Sequence, residues 1–465
     1  MMKTQLVTII SRETIKPSSP TPSHLQTYNF SPLDQLEHNL FIPALFFYPN
    51  EGDCTSLCLQ DKANVMKKSL SHSLTRYYPF AGTLSTNTTP YVDCNDKGVV
   101  FVVAEINSQL STFQHFSEED ETLDELFADG SVGNNCNGSN SLVSVQLNHF
   151  TCGGVAVAAS MSHLIGDGCT LFSFVSHWAS VTRYGSSHHK EVLPLNPSFI
   201  ITPREQVISN QVYGEGEGEG EGYVSTIIDS TKPQAQVISN KVYGEGYVSK
   251  TFLFPNSKLS DLKNKVISQG SIKNPTRIEV LTSLIFKTAV GAESTRSGSF
   301  KPSYLWIPVD IRSKFVPKLL QITVGNFVSP MRIRAMHESE LLLDHLVGEI
   351  KKEKMRLELV QSVQQAAKNS KMLRKNLENE IKDLENVANQ TFCGSSFCGF
   401  SYNKVDFGWG KPAGATLPVR SVGITSFVLV DTADGYGVEA RVNLKKENME
   451  IFENDKEMLS FCHLT

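Results

Sequence analysis

A duplicated, glycine- and glutamate-rich stretch interrupts the chain near its middle, and no single compact core can run through it. Gln206-Val-Ile-Ser-Asn-Gln-Val-Tyr-Gly-Glu-Gly216 recurs as Gln236-Val-Ile-Ser-Asn-Lys-Val-Tyr-Gly-Glu-Gly246, and each copy ends in Gly-Tyr-Val-Ser. Extra Gly-Glu units carry the first copy on to Gly222. Two copies are too few for a solenoid, and the composition is that of a solvated linker. The stretch therefore divides the 465 residues into an N-terminal domain, 1–205, a crossover, 206–250, and a C-terminal domain, 251–465. Length agrees, because single cores stop growing at roughly 250–300 residues.

Composition narrows the function. With 40% hydrophobic and 20% charged residues and a net charge of −5, the chain lacks the basic stripe of a nucleic-acid binder. No apolar run approaches the ~18 residues that span a bilayer. The short apolar run Leu6–Ile10 is followed by Arg12, Glu13 and Lys16, unlike a secretory signal. Nine scattered cysteines, an odd number without a CxxC pair, read as free thiols of a cytoplasmic protein. The sequons at Asn87 and Asn137 then read as chance.

Each half mixes helix and strand, which makes the fold class α/β. Ala63–Tyr78 has helical spacing, with Val65, Leu70, Leu74 and Tyr77 near one face and Pro79 as its stop. Gly98–Ala104 reads as a buried strand. Ser141–Phe150 and Val155–Ser162 read as strands joined by a Cys152-Gly-Gly turn. Helical patterns cover 170–181, 257–267 and 276–289, and a long charged one covers 338–384. Strands are expected at 250–254, 304–310, 421–430 and 435–444, and a last helix at 445–461.

This pattern sets His163-Leu-Ile-Gly-Asp167-Gly168 on a loop between a strand and a helix, a rigid mount of the kind that suits catalytic side chains. His163 and Asp167 admit three readings. On one helical face they could bind a metal, but no third ligand at matching spacing is apparent. His163 could be a satisfied core residue. Or it could be a general base: neutral imidazole, with a pKa of about 6.5, accepts a proton from an alcohol near neutral pH. No serine or cysteine elbow stands out, which favours direct transfer over an acyl-enzyme. A second motif, Asp406-Phe-Gly408-Trp409-Gly410-Lys-Pro412, specifies a tight turn packed on a core. Its structural reading stands beside one that puts Asp406 or Trp409 at a substrate.

The two motifs together resemble the signature pair of the plant BAHD acyl-CoA-dependent acyltransferases. Supporting matches run along nearly the whole chain, among them Leu33-Asp34-Gln35, Tyr78-Pro-Phe-Ala-Gly82, Asp310-Ile-Arg312 and Gly325-Asn326. The resemblance implies two chloramphenicol-acetyltransferase-like domains with mixed sheets and an interdomain solvent channel. It implies His163 as the catalytic base. Asp167 and Gly168 hold its loop, with Arg312 as the partner of Asp167, and Asp406, Gly408, Trp409 and Gly410 act structurally. Ser395 and Ser396, just before the second motif, are candidates for contact with the coenzyme, as are cations between Lys250 and Arg277. Relatives often have tryptophan where Phe397 stands, so an indole N–H donor is missing here.

The opening segment and Lys411-Pro412 are most similar to the alkaloid and terpenoid O-acetyltransferase branch. That implies acetyl-CoA as co-substrate, a bulky alcohol as acceptor, no permanently bound cofactor, no metal, no nucleic acid or membrane partner, and a monomer. Hydroxycinnamoyl or benzoyl transfer is the alternative within the family. Outside it stand a silent binding protein on the same scaffold and an enzyme of this fold that hydrolyses or eliminates.

Overall fold

The structure, a computed structural model, describes residues 6–37, 40–50, 58–85, 90–114, 121–128, 141–186, 246–270, 272–315, 318–320, 322–360, 362–363, 365–372, 375, 390–400, 402–417 and 425–464. The duplicated stretch up to residue 245 and the two sequons lie outside them.

Three sheets organise these residues. The strands are β1 (Val7–Ile15), β2 (Thr27–Asn29), β3 (Phe41–Tyr48), β4 (Thr83–Ser85), β5 (Tyr91–Asp93), β6 (Val99–Ile106), β7 (Val143–Phe150), β8 (Val155–Ser162), β9 (Tyr247–Pro255), β10 (Ser303–Asp310), β11 (Val328–Ala335), β12 (Gln390–Ser396), β13 (Gly414–Thr416), β14 (Thr425–Asp431), β15 (Gly437–Lys445) and β16 (His463–Leu464). The first sheet runs β1-β6-β7-β8-β3-β13, the second β11-β10-β12-β14-β15-β9-β16, and β2-β5-β4 form a small third. Both large sheets are mixed: β6–β7, β10–β12 and β12–β14 are parallel, while neighbours such as β7–β8 and β15–β9 are antiparallel.

β8 shows why the first sheet is so completely covered. All eight of its residues are buried. Val155, Val157, Ala159 and Met161 enter one core, while Ala156 and Ala158 face a second one with Leu110 and Phe113. Period-two alternation sends successive side chains to opposite faces, and both faces here are apolar. Two helices close the first face: α1 (Leu59–Arg76), and, after the short α2 (Leu110–Gln114), α3 (Gly168–Tyr184). The Trp178 indole N–H of α3 bonds to the Met66 carbonyl and the Ser69 hydroxyl of α1, both at 3.1 Å, which fixes how the helices lie together.

The second sheet carries α4 (Asn256–Ser268), α5 (Arg277–Ser297) and α6 (Leu343–Leu357). Thr276 and Glu279 form a reciprocal capping box at the start of α5. The charged helical pattern expected over 338–384 gives α6 over Leu343–Leu357, which buries Leu343, Leu346, Val347 and Ile350 on one face.

The halves are less separate than the linker suggests. β13 joins the edge of the first sheet, pairing Gly414–Thr416 with Leu45–Phe47. Tyr402, Val405, Phe407 and Leu417 are buried in the N-terminal core, and the Phe407 ring lies 4.8 Å from that of Trp178. Leu33 in turn enters the C-terminal core. Residues 402–417 therefore pack with the N-terminal half although they follow the crossover. The C-terminal sheet also begins at Tyr247, inside the stretch assigned to the linker.

Candidate active site

β8 ends at Ser162, and His163 is the next residue. Its backbone N–H bonds to the Leu40 carbonyl at 2.7 Å. The turn to α3 follows, and Asp167 caps that helix by accepting the Thr170 N–H at 3.0 Å. The expected strand–turn–helix mount is present.

The imidazole is 30% exposed, so it is reachable from solvent while being held from one side. Its Nδ1 lies 3.0 Å from Asn326 Oδ1 and 3.8 Å from Glu37 Oε2. Asn326 is almost fully buried, and its Nδ2 donates to the His163 carbonyl at 2.8 Å and to Asp34 Oδ1 at 2.9 Å. The Asn326 backbone N–H also donates to Asp34 Oδ1, at 2.6 Å. Asp34 is fully buried, and burial pushes its carboxyl up to about 6 against the hydrogen bonds from Asn326 and Ser31 that lower it.

Neither Asn326, Asp34 nor Glu37 was assigned to the site from sequence. Asp34 and Asn326 had entered only as matches to the family pattern. A local signal was available at one of them. Ser31 and Asp34 are spaced as a capping box, and they do bond reciprocally: Ser31 N–H to Asp34 Oδ2 at 2.8 Å, and Asp34 N–H to Ser31 Oγ at 3.2 Å. That Asn326 lies against His163, 163 positions earlier in the chain, had no local signal.

Asp167 does not touch His163. Its two oxygens face the fully buried Arg312, with Nη1 to Oδ2 at 2.8 Å and Nη2 to Oδ1 at 3.0 Å, and the Phe327 N–H adds 2.9 Å to Oδ2. Burial would push the Asp167 carboxyl up, but the Arg312 charge and these hydrogen bonds outweigh it and hold it below the ordinary carboxylate value. Arg312 Nη2 also donates to Thr170 Oγ1, Thr323 O and Gly325 O, and Nη1 to Asp310 Oδ1 at 3.2 Å. Gly325 has φ 128°, a region that disfavours a side chain, and its carbonyl also accepts from Thr170 Oγ1. One ion pair thus ties the His163 loop to residues 323–327 of the other half.

Gly168 has a different reason to be glycine. A Cβ there would stand 2.9 Å from Phe397 Cε1. Phe397 packs with Phe172 and Phe400 at ring distances of 6.1 and 5.7 Å, so an aromatic group from the C-terminal half presses on the first turn of α3. Ser395 and Ser396 end β12 just before it, both partly exposed, with Ser396 Oγ accepting the Cys398 N–H at 3.3 Å. A pocket of about 400 Å³ opens beside this cluster, lined by Cys169, Phe172, Ser176 and Phe400 among others but not by His163.

The second motif lies apart from His163. Asp406 pairs with Arg183 at the end of α3 and accepts the N–H groups of Gly408 at 2.8 Å and Gly410 at 3.2 Å. Trp409 stacks on Phe407 at 5.6 Å, under Lys62. Gly408 and Gly410 have φ 108° and 105°, which the turn needs. Of the candidate cations between Lys250 and Arg277, Lys250, Lys265 and Arg277 pair with Glu453, Glu457 and Asp431. Among the described residues no cluster of acidic, histidine or cysteine side chains could hold a metal ion.

Two sheet-rich halves clasping a histidine loop define a chloramphenicol-acetyltransferase-like acyltransferase fold. A family model described as the Transferase family matches residues 5–459, and the chain belongs to that family, the BAHD acyltransferases. It is 35% identical to Acyltransferase Pun1 of Capsicum frutescens, over 99% of both chains. It is 30% identical to Deacetylvindoline O-acetyltransferase of Catharanthus roseus, over 97% of both. The crystal structure of Vinorine Synthase superposes with a TM-score of 0.71 at 26% identity, covering 98% of each chain. The chain is an acyltransferase.

Proposed function

We propose that the protein transfers an acetyl group from acetyl-CoA to a hydroxyl of a bulky alkaloid or terpenoid, with His163 as general base. One observation carries this reading: an imidazole fixed at Nδ1 by a buried amide and at its backbone by β3's entry, yet open to solvent. His163 takes the proton of the acceptor O–H as the oxygen attacks the thioester carbonyl. The tetrahedral oxyanion then collapses, the C–S bond breaks, and the proton on the imidazole passes to the departing coenzyme A thiolate. No acyl-enzyme is needed, which fits the absence of a nucleophilic serine or cysteine beside His163 among its described partners.

Asp167 and Arg312 hold the loop and join the halves, and the Asp406 turn locks the segment 402–417 onto α3. Ser395 and Ser396 are placed on the strand that leads to Phe397 and are the proposed contacts for the coenzyme. The acetyl donor is supported by the likeness to an O-acetyltransferase. The free cysteines among the described residues fit a cytoplasmic setting. No helix among them is long and apolar enough to cross a membrane.

The test is a donor panel of acetyl-, malonyl- and benzoyl-CoA against fractionated plant alcohols, read by coenzyme A release and product mass. Acetyl ester formation is expected. Preference for a larger acyl group would replace the donor assignment, and free acid without ester would replace transfer by hydrolysis.

A further inference from the structure

We propose that Asn326 is a positioning residue that holds His163 as the Nδ1–H tautomer, and that Asp34 sets which way the Asn326 amide faces. This rests on His163 being the base and names the nitrogen that acts.

Donors and acceptors around Asn326 fix the tautomer. A backbone carbonyl only accepts, so the Asn326 atom 2.8 Å from the His163 carbonyl must be the NH2 nitrogen. The same nitrogen is 2.9 Å from Asp34 Oδ1, an oxygen already serving as acceptor to the Asn326 backbone N–H at 2.6 Å. Two acceptors thus claim Nδ2, and rotating the amide would set Oδ1 against both. Asn326 is 1% exposed and Asp34 fully buried, so water cannot compensate that mismatch. Oδ1 must therefore face the imidazole, 3.0 Å from Nδ1. An amide oxygen needs a donor, so Nδ1 carries the hydrogen, and a neutral imidazole with Nδ1–H has its lone pair on Nε2. Nε2 has no protein partner among the described residues.

The order of dependence runs from the least movable group outward. Asp34 is anchored by Ser31 through the reciprocal pair at 2.8 and 3.2 Å, Asn326 is read off Asp34, and the imidazole is read off Asn326. When Nε2 takes the acceptor's proton, the Nδ1–H bond stays as it is, so the site has nothing to rearrange. The charged groups around the ring are consistent with that. Glu37 Oε2 lies 3.8 Å from Nδ1, close enough to favour the imidazolium that forms, Asp34 lies behind Asn326, and Asp167 and Arg312 are paired with each other.

The experiment labels histidine with 15N in the full chain and records long-range 1H–15N correlations at about pH 8, above the ordinary imidazole pKa of about 6.5. His163 is assigned by its loss in His163→Gln. The expected wild-type pattern is that of Nδ1–H, and Asn326→Ala should lose it. In Asn326→Ala, kcat should fall about 10–100-fold, the scale for removing a histidine's orienting partner, with the KM for acyl-CoA little changed. Asn326→Asp keeps an acceptor at Nδ1, although its second oxygen then faces the His163 carbonyl and Asp34 at a cost in stability. Where it folds, it should keep the Nδ1–H tautomer and move the acid limb of the kcat/KM profile to higher pH, because the new carboxylate favours the imidazolium. An Nε2–H pattern in the wild type, or Nδ1–H kept in Asn326→Ala, overturns the proposal. If Asn326→Ala does not fold, the wild-type spectrum decides alone. The tautomer is read without turnover, so an active His163→Gln would remove the base assignment and leave the positioning result standing.

Discussion

Replacing Asp167 by asparagine changes one atom's chemistry and should damage stability more than catalysis. The carboxylate receives four N–H donors: two from Arg312 and one each from Phe327 and Thr170, all within 2.8–3.0 Å. Asparagine keeps one acceptor oxygen and turns the other into a donor. Whichever way the amide lies, an N–H meets an N–H, and the buried Arg312 guanidinium keeps only Asp310, at 3.2 Å from Nη1 and itself partly exposed, as counter-charge. Breaking a buried pair one-sidedly costs about 3–5 kcal/mol. At roughly 2–4 °C per kcal/mol for a unit of 150–250 residues, the unfolding midpoint should fall roughly 6–20 °C. Removing the second charge as well, in Asp167→Asn with Arg312→Met, should recover part of the loss, because an apolar isostere of a buried pair is often no worse than the pair. The assay is a thermal scan of wild type and both variants, with turnover measured well below each midpoint. An unchanged midpoint with turnover abolished in Asp167→Asn would refute the structural assignment and put Asp167 in the reaction.

Gly168→Ala should be destabilising by about 1–3 kcal/mol, since its Cβ meets Phe397 Cε1 at 2.9 Å, and Phe397→Leu should relieve it in a thermal double-mutant cycle. Equal penalties with and without Phe397 would remove that contact from the account. The acid limb of stability should report two carboxyls of opposite sign. Asp167, held below its unfolded value of about 3.9, contributes stability that is present above that value and is lost as pH falls through the folded one. Asp34, raised to about 6, binds its proton more tightly in the folded chain, so its contribution falls as pH rises from about 4 to 6. Denaturant titrations across that window should show Asp34→Asn gaining on the wild type as pH rises; a gap that widens the other way would contradict the burial of Asp34.

Local patterns in the sequence were enough to place His163. The β8 run, the Cys152-Gly-Gly turn and the apolar face of α3 are short-range features, and they set the loop correctly. Helix ends were read less well. Val65, expected on the buried face of α1, is exposed while Met66 is fully buried, because the face that carries Leu70 and Leu74 continues one turn back to Met66 and not to Val65. β12 and β13 had no usable period: Gln390–Ser396 contains glycine and serines, and Gly414–Thr416 is three residues long. What made the site was mostly invisible locally. Asp34, His163 and Asn326 meet from three separated segments, and a pairing across 292 residues leaves no mark on either neighbourhood. Only the chain-long likeness to one family pointed that way, and it named Arg312 for Asp167 without naming Asn326 for His163.

The most direct test is isotope-labelled acetyl-CoA incubated with an accepted alcohol and either wild type or His163→Ala, both confirmed folded by their melting curves. The account predicts labelled ester from the wild type and turnover lower by at least ~10² in the variant, the scale of a lost general base. Ester formation at the wild-type rate by folded His163→Ala would contradict it.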